Sequence, residues 1–533
     1  MHIILQFIST YFSFAYIELL ILTAACYACS PKKVRRWVLL IFSYLFFYAV
    51  SGMLLIWLII TTLSVHQAGL RLEKIQKEGA QQLKAADKDQ KKALKKQTRK
   101  KQIRVLTLAA VLNIGILAVL KYSPFVTTNI NTVMRLLHLP YEFKVPELLV
   151  PIGISFYTLQ AVAYLFDVYR QKIPADSNLL RLAIFMSFFP QIMEGPICRY
   201  SDTAASLWQV EDIQWKNFIS GSQRIAFGIM KKLIVADRLN RMIKFIFYNY
   251  DMLDGSVIAL GAVCYTLQLY MDFSGTMDVA IGSAEIFGVK LPENFRRPFF
   301  SKTISEFWQR WHITLGTWFR DYIFYPVSMA KPVTKLAART GKRFGKHAGS
   351  LVAGGIALFC VWICNGLWHG AGWNFIFFGM YHFALILCGN IMQPAVIKTA
   401  QNLHIDRSSL PYRIMQTLRT CVLVCIGEMF FRAHGLHDGI GMFTRMLTVF
   451  NISALKGGIE KMDQNDWIVI GSFVIFLLII GIIQERGINI REKINSRSLW
   501  FRLAVYYVFI MIMIMFGAYG LGYSTLDPIY ANF

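Results

Sequence analysis

Two histidines stand in the most unusual surroundings of this chain. His369 lies in Asn365-Gly366-Leu367-Trp368-His369-Gly370-Ala371-Gly372-Trp373-Asn374, directly after an apolar run. His312 ends the triplet Arg310-Trp311-His312. A histidine beside a tryptophan is most often an ordinary packed residue. Around His369, however, Gly366, Gly370 and Gly372 remove side chains and permit close backbone approach, as a site that admits a substrate chain requires. Neutral imidazole is the side chain best suited to general-base work near pH 7. There it could deprotonate a sugar hydroxyl, which then attacks a thioester or similar carbonyl. A second donor, His312 or Asn365, could stabilise the resulting oxyanion.

Other polar residues join the candidates because they sit among apolar neighbours. They include Gln191 and Glu194 in Phe189-Pro190-Gln191-Ile192-Met193-Glu194-Gly195-Pro196, and Asp272 and Asp278 in Tyr270-Met271-Asp272-Phe273-Ser274-Gly275-Thr276-Met277-Asp278. A third stretch runs from Pro151 through Ser155 and Gln160 to Asp167 and Arg170. Small and hydroxyl residues in such stretches can be helix-packing glue. Buried acids exceed that need and should pair with something, for which the arginines of 296–320 are at hand. In that region Arg310, His312, Arg320 and Asp321 crowd among tryptophans, and an interfacial amphipathic helix accounts only for the aromatics. The candidate substrate-binding set is Asn365, Trp368, Asp272, Gln191, Arg310, Arg320 and Asp321. His382 follows Tyr381 near an expected span and is a weaker candidate for lining the same cavity; His434 and His437 read as loop residues, and His66, His347 and His404 as surface residues.

Several classes of chemistry lack their signatures. No H-x-x-x-H, H-E-x-x-H or paired C-x-x-C supports a metal site. Cys26 and Cys29 form a lone C-x-x-C that packs in a helix on this reading. No G-x-S-x-G marks a serine hydrolase, and no Walker A motif marks an ATP-driven pump.

The elements that position these residues belong in a bilayer. Of 533 residues 55% are apolar and only 16% charged, with mean hydropathy +0.45, so in water the surface would aggregate. Spans of about 20 apolar residues are expected at 8–29, 105–122, 148–169, 178–197, 217–248, 256–286, 350–368, 373–394, 413–432, 467–484 and 501–523. The net charge is +25, concentrated in clusters at 32–36, 71–104, 331–346 and 486–497. These clusters fall between apolar segments, as cytoplasmic loops do under the positive-inside rule, so they mark orientation and not nucleic-acid binding. The basic clusters flanking 37–66 should share one face, which makes that stretch a hairpin of two short helices bent at Ser51-Gly52. The polar tract 67–104 is read as a cytoplasmic helix or a disordered loop, with the helix favoured because the tract has no proline and only Gly69 and Gly79 as breakers. Residues 433–466 form a polar connection on the outer face.

The stretches Pro151–Arg170, Phe189–Arg199, Asp272–Gly282, Arg296–Pro326 and Gly366–His382 together resemble the membrane-bound O-acyltransferases. The nearest likeness is to the bacterial branch that includes an alginate O-acetylation protein and a D-alanyl-lipoteichoic acid transfer protein. The resemblance implies an all-α, polytopic helical bundle of about 11–13 spans around a central tunnel, one membrane domain over 1–533 in the cell membrane. It implies that His369, in the family's W-H-G motif, is catalytic, and that His312, in its R-W-H motif 57 positions earlier, lies at the same centre. It also implies an enzyme that moves an acyl group, in the first place acetyl, from a cytoplasmic donor to hydroxyls of an extracellular or cell-wall polysaccharide. The donor would be acetyl-coenzyme A or an acyl carrier protein thioester, with no bound cofactor. The partners would be the bilayer, the polysaccharide, a cytoplasmic donor protein and an extracellular acyltransferase. Asp321-Tyr322-Ile323-Phe324-Tyr325-Pro326 departs from the alginate-type continuation, so other wall and surface glycans stay open, as do D-alanyl transfer to teichoic acid and a shuttle that only hands the group across.

The charge pattern yields a topological test. Cysteines placed at 32–36 and at 67–104 should both resist a membrane-impermeant thiol reagent added from outside. Labelling of one site and not the other would show that 37–66 crosses the membrane once.

Overall fold

The computed structural model describes residues 11–457, 462–519 and 523. Among these residues every regular element is a helix and no strand occurs. Eight stretches are long and apolar enough to cross a membrane. One is the pair α2 (Lys32–Ser51) and α3 (Leu55–Ala85); the others are α4 (Lys88–Leu136), α6 (Gly255–Ile286), α10 (Lys346–His369), α11 (Trp373–Asn402), α12 (Leu410–Arg432), α13 (Gln464–Glu485) and α14 (Leu499–Phe516). A shorter apolar helix, α1, covers Phe14–Cys29. The protein is a polytopic, all-α membrane protein.

Three expected spans between 148 and 248 are shorter or interrupted. Pro151 delays the helix until α5, Ile154–Tyr169. The stretch 178–197 breaks at Phe188, between helices Leu179–Ser187 and Phe189–Ile192, because the Pro190 ring cannot follow a continuous helical turn. The stretch 217–248 is helical but passes through a π-helical segment, Lys232–Ala236.

The chain separates into two compact units. The first holds residues up to Gln223 with 279–292. Here the bend at 37–66 lies where expected: Gly52 takes φ +55° between α2 and α3, a left-handed conformation that glycine adopts without strain. The second arm is longer than two short helices would give, running through the basic tract to Ala85. The tract 67–104 is therefore helical, as one antiparallel pair. Asn113 donates to Ser64 at 3.1 Å, and a Cβ on Gly79 would lie 2.6 Å from Thr98. Both pairings are symmetric about residues 88–89, which fixes the register of α3 on α4. His66, expected at the surface, is buried, because the lower half of α3 packs on α5: Gly69 admits the Tyr164 ring. The first unit also buries Tyr16, whose hydroxyl donates to Ser283 at 3.0 Å.

The second unit, 224–278 with 293–529, carries both candidate histidines. The segment 296–328 is a run of short helices, including α7 (Ile304–Arg310) and α8 (Ile313–Phe319). The basic stretch 331–346, expected as a loop, is an amphipathic helix, α9 (Lys331–Phe344), with Lys331, Lys335, Arg339, Lys342 and Arg343 exposed. It turns at Gly345 and folds back on α10, where Gly349 faces the Ala337 carbonyl and Gly341. The connection 433–466 holds a helix of its own, Leu436–Thr448.

The α10–α11 pair depends on two glycines. A Cβ on Gly379 would lie 2.3 Å from the Trp362 carbonyl oxygen, and one on Gly366 would lie 2.5 Å from that of Phe375. Contacts under 3 Å with backbone cannot be relieved by a side-chain rotation, so any larger residue forces the helices apart. Gly379→Leu should cost about 3 kcal/mol or more, at the upper end of overpacking effects, and lower the melting temperature of the detergent-solubilised protein. Gly389→Ala, on the same helix with open space around it, should leave that temperature unchanged or raise it slightly through helix propensity.

Candidate active site

The glycine-mediated contact brings the end of α10 against α11 and α12. His369, the last residue of α10, is buried, with its ring 5.8 Å from Phe378 and 5.1 Å from Phe431. Asn365 lies one helical turn earlier on the same face. It is buried, and its Oδ1 has no hydrogen-bond partner among the described residues. Trp368 contacts both candidate histidines: its ring lies 4.9 Å from His369 and 5.6 Å from His312. Residues 57 apart in sequence thus meet at one indole.

His312 occupies a strained position. It precedes α8 at φ +46°, a left-handed conformation that costs a non-glycine residue about 1–2 kcal/mol. Asn294 holds it there. The Asn294 carbonyl accepts from the Ile313 amide at 3.0 Å. The Asn294 Oδ1 accepts from the Thr314 amide at 3.0 Å and the Thr314 hydroxyl at 2.9 Å, and lies 3.2 Å from His312 Nδ1. The ring packs edge-on against Phe273 at 4.8 Å. Burial pushes the His312 imidazolium down to about pKa 3, because the charged form loses its hydration. The imidazole is neutral at physiological pH.

A third histidine belongs to the same aromatic layer. His382, fully buried on α11, accepts from the Trp308 indole N–H at 3.3 Å through Nδ1. An indole only donates, so neutral His382 carries its proton on Nε2. That nitrogen has no hydrogen-bond partner among the described residues, and a Cβ on Gly427 would stand 2.6 Å from it. The His382 ring lies 4.7 Å from Phe378, which also touches His369.

The remaining candidates are distributed differently. Asp272 is buried in an ion pair with Lys232 at 2.9 Å, and Lys232 also reaches Asp237 at 3.2 Å. Asp278 pairs with Lys231 at 2.5 Å and Arg224 at 3.0 Å. Asp272 and Asp278 are therefore neutralised by cations of 224–232, and not by the arginines of 296–320 as the sequence suggested. The π-helical segment beginning at Lys232 helps two successive lysines serve facing acids. The expected arginines have other partners: Arg310 bridges Glu306 and Glu485, both at 2.8 Å, and Arg320 pairs with Asp321 at 3.1 Å near the surface. Gln191 lies in the first unit, where its amide donates to the Phe185 carbonyl at 2.6 Å. Asn294 was not among the candidates, since a single Asn after Pro-Glu carries no periodic or motif signal; Trp308 falls in the Arg296–Pro326 stretch but does not stand out among its tryptophans.

Comparison with known proteins adds an independent finding. The chain is 33% identical over 345 residues to a probable alginate O-acetylase of Azotobacter vinelandii, covering 65% of this chain and 63% of that protein. It is 28% identical to a peptidoglycan O-acetyltransferase of Helicobacter pylori, over 65% of each chain. It is 30% identical to a teichoic acid D-alanyltransferase of Bacillus subtilis, over 45% of this chain and 59% of that one. The alignments thus span less than two thirds of these relatives. Residues 39–340, more than half of the chain and including His312, match the membrane-bound O-acyltransferase family model. With its buried imidazoles carried on a polytopic helical frame, this chain belongs to the membrane-bound O-acyltransferase family.

Proposed function

We propose that the protein transfers an acyl group, in the first place acetyl, from a cytoplasmic donor to hydroxyls of a cell-surface or cell-wall polysaccharide. The observation that carries this reading is that the rings of His312 and His369 both pack on Trp368, both buried, in a member of an acyltransferase family. One imidazole takes the proton of a sugar hydroxyl as its oxygen attacks the acyl carbonyl. The thioester C–S bond then breaks, the thiolate leaves, and it recovers the proton from the imidazolium. Asn365, buried one turn before His369, carries a side-chain amide whose N–H groups are of the type that stabilises an oxyanion. Acetyl transfer is favoured over D-alanyl transfer because the alginate and peptidoglycan relatives match over a larger share of this chain.

On this reading the basic face of α9 receives an acidic donor, such as a coenzyme A thioester or an acyl carrier protein. The helix directly follows the His312 segment, and its five exposed cations share no ion pair among the described residues. Long-range attraction to such a surface speeds encounter and weakens with salt.

His369→Ala should abolish ester-linked acyl groups on surface glycans, measured by mass analysis of material from cells with the variant at normal membrane levels. His312→Ala should lose nearly as much, and the double variant little more, because residues of one catalytic unit are strongly non-additive. Full acylation in either single variant would remove that residue from the site. Replacing Lys335, Arg339, Lys342 and Arg343 by Gln should raise the apparent KM for acetyl-coenzyme A or a carrier-protein thioester and flatten its salt dependence. Unchanged donor kinetics would assign those charges to lipid contact alone.

A further inference from the structure

The two histidines with assigned neighbours differ in which ring nitrogen carries the proton, and the difference has chemical content. At His382 the Trp308 N–H can only donate, so Nδ1 is the acceptor nitrogen. At His312 the opposite holds. The Asn294 Oδ1 already receives the Thr314 amide and hydroxyl. The Thr314 amide has no choice but to donate, so this atom is the oxygen and not the amide nitrogen of Asn294. An oxygen facing Nδ1 at 3.2 Å requires that Nδ1 carry the ring proton. The Asn294 amide nitrogen meanwhile points to the Met277 sulfur at 3.1 Å. Asn294 is completely buried, so water does not compete for these bonds.

We infer that Asn294 is a positioning residue that locks His312 in the tautomer with its lone pair on Nε2, and so makes His312 the proton acceptor of the pair. The inference rests on the acyl-transfer reading for its catalytic consequence, but not for the tautomer itself. It differs from the option, open in the sequence, that His312 is an oxyanion donor, because a neutral ring with Nδ1–H cannot also donate from Nε2. Asn294 works as the buried carboxylate of a hydrolase triad does, orienting an imidazole through the nitrogen that does not react. Using a neutral amide in place of a carboxylate has its own effect. It orients the ring without stabilising the imidazolium, so burial keeps the resting form neutral.

The test uses Asn294→Asp and Asn294→Leu. Diethyl pyrocarbonate ethoxyformylates only an unprotonated imidazole nitrogen, and peptide mass spectrometry reads its rate at His312 in the solubilised full chain. For the wild type, the rate at His312 should stay level between pH 8 and pH 4.5. In Asn294→Asp the new carboxylate should raise the imidazolium pKa by about two to three units, so the rate should fall at least about fourfold by pH 4.5. In cells, Asn294→Asp should keep surface O-acylation within about tenfold, since the isosteric carboxylate still accepts from Nδ1–H. Asn294→Leu should lose about a hundredfold or more at normal membrane levels, since the tautomer is no longer held. Parallel pH profiles in wild type and Asn294→Asp would overturn the inference, as would absence of His312 modification in the wild type or retained acylation in Asn294→Leu. If cells lacking the protein show unaltered surface glycans, the acyl-transfer reading fails instead, and the reagent profiles still decide the tautomer.

Discussion

The backbones of two membrane helices touch where Gly366 meets the Phe375 carbonyl and Gly379 meets that of Trp362. In hydrocarbon no hydrophobic force drives helices together, so their association depends on close packing that small residues permit. Here the contact does more than hold a pair. It sets α10 against α11 at the level where Trp368 and His369 leave one helix and Phe378 and His382 lie on the other. The ring distances of the site follow from that level. A side chain at either glycine would separate the helices by more than the few tenths of an ångström that aromatic edge contacts tolerate.

The rest of the second unit can be understood as satisfying polar groups that this aromatic layer cannot. Asp272 and Asp278 sit on a helix whose neighbours are largely apolar, and an ion without a partner there would cost several kcal/mol. Lys231, Lys232 and Arg224 supply those partners, with Asp237 and Glu293 completing the set. Such a network contributes little net stability, since desolvation offsets most of the attraction. Its value lies in geometry. Glu293 is held by Arg224 at 2.5 Å, and the next residue is Asn294. The strained His312 loop therefore hangs from a segment tied to the charged network on one side and to its own amide contacts on the other.

Much of this was legible in the sequence, for reasons that can be named. Long apolar runs gave the helical, membrane-bound character, since backbone in lipid has few alternatives. Glycine density pointed to the region around His369, because close approach leaves a compositional trace. What was not legible depended on pairing across distance. Asp272 could have met any of a dozen cations, and only the fold selects Lys232. His66 looked like a surface residue because it borders a basic tract, whereas packing of α3 on α5 buries it. The stretch 331–346 was read as a loop from its charge alone. Its Pro332 suits a first helical turn and its small residues at 337 and 341 face α10, which are helix signals that charge obscured. Asn294 left no trace at all, since its role is defined by three contacts and not by any pattern along the chain.

The symmetry of the basic hairpin has a consequence for how this chain can change in length. Ser64 faces Asn113 and Gly79 faces Thr98, each pair centred on residues 88–89, just past the turn after Ala85. An insertion in one arm alone would carry every residue on one side of it past its counterpart, burying lysines against Thr98 or exposing the notch at Gly79. Residues added in equal number to both arms near the tip leave the pairings below untouched. The hairpin is thus a ruler with one free end: evolution or engineering can extend its reach from the membrane by whole paired turns, about 5.4 Å for each turn, while the membrane-embedded part of α3 and α4 keeps its place.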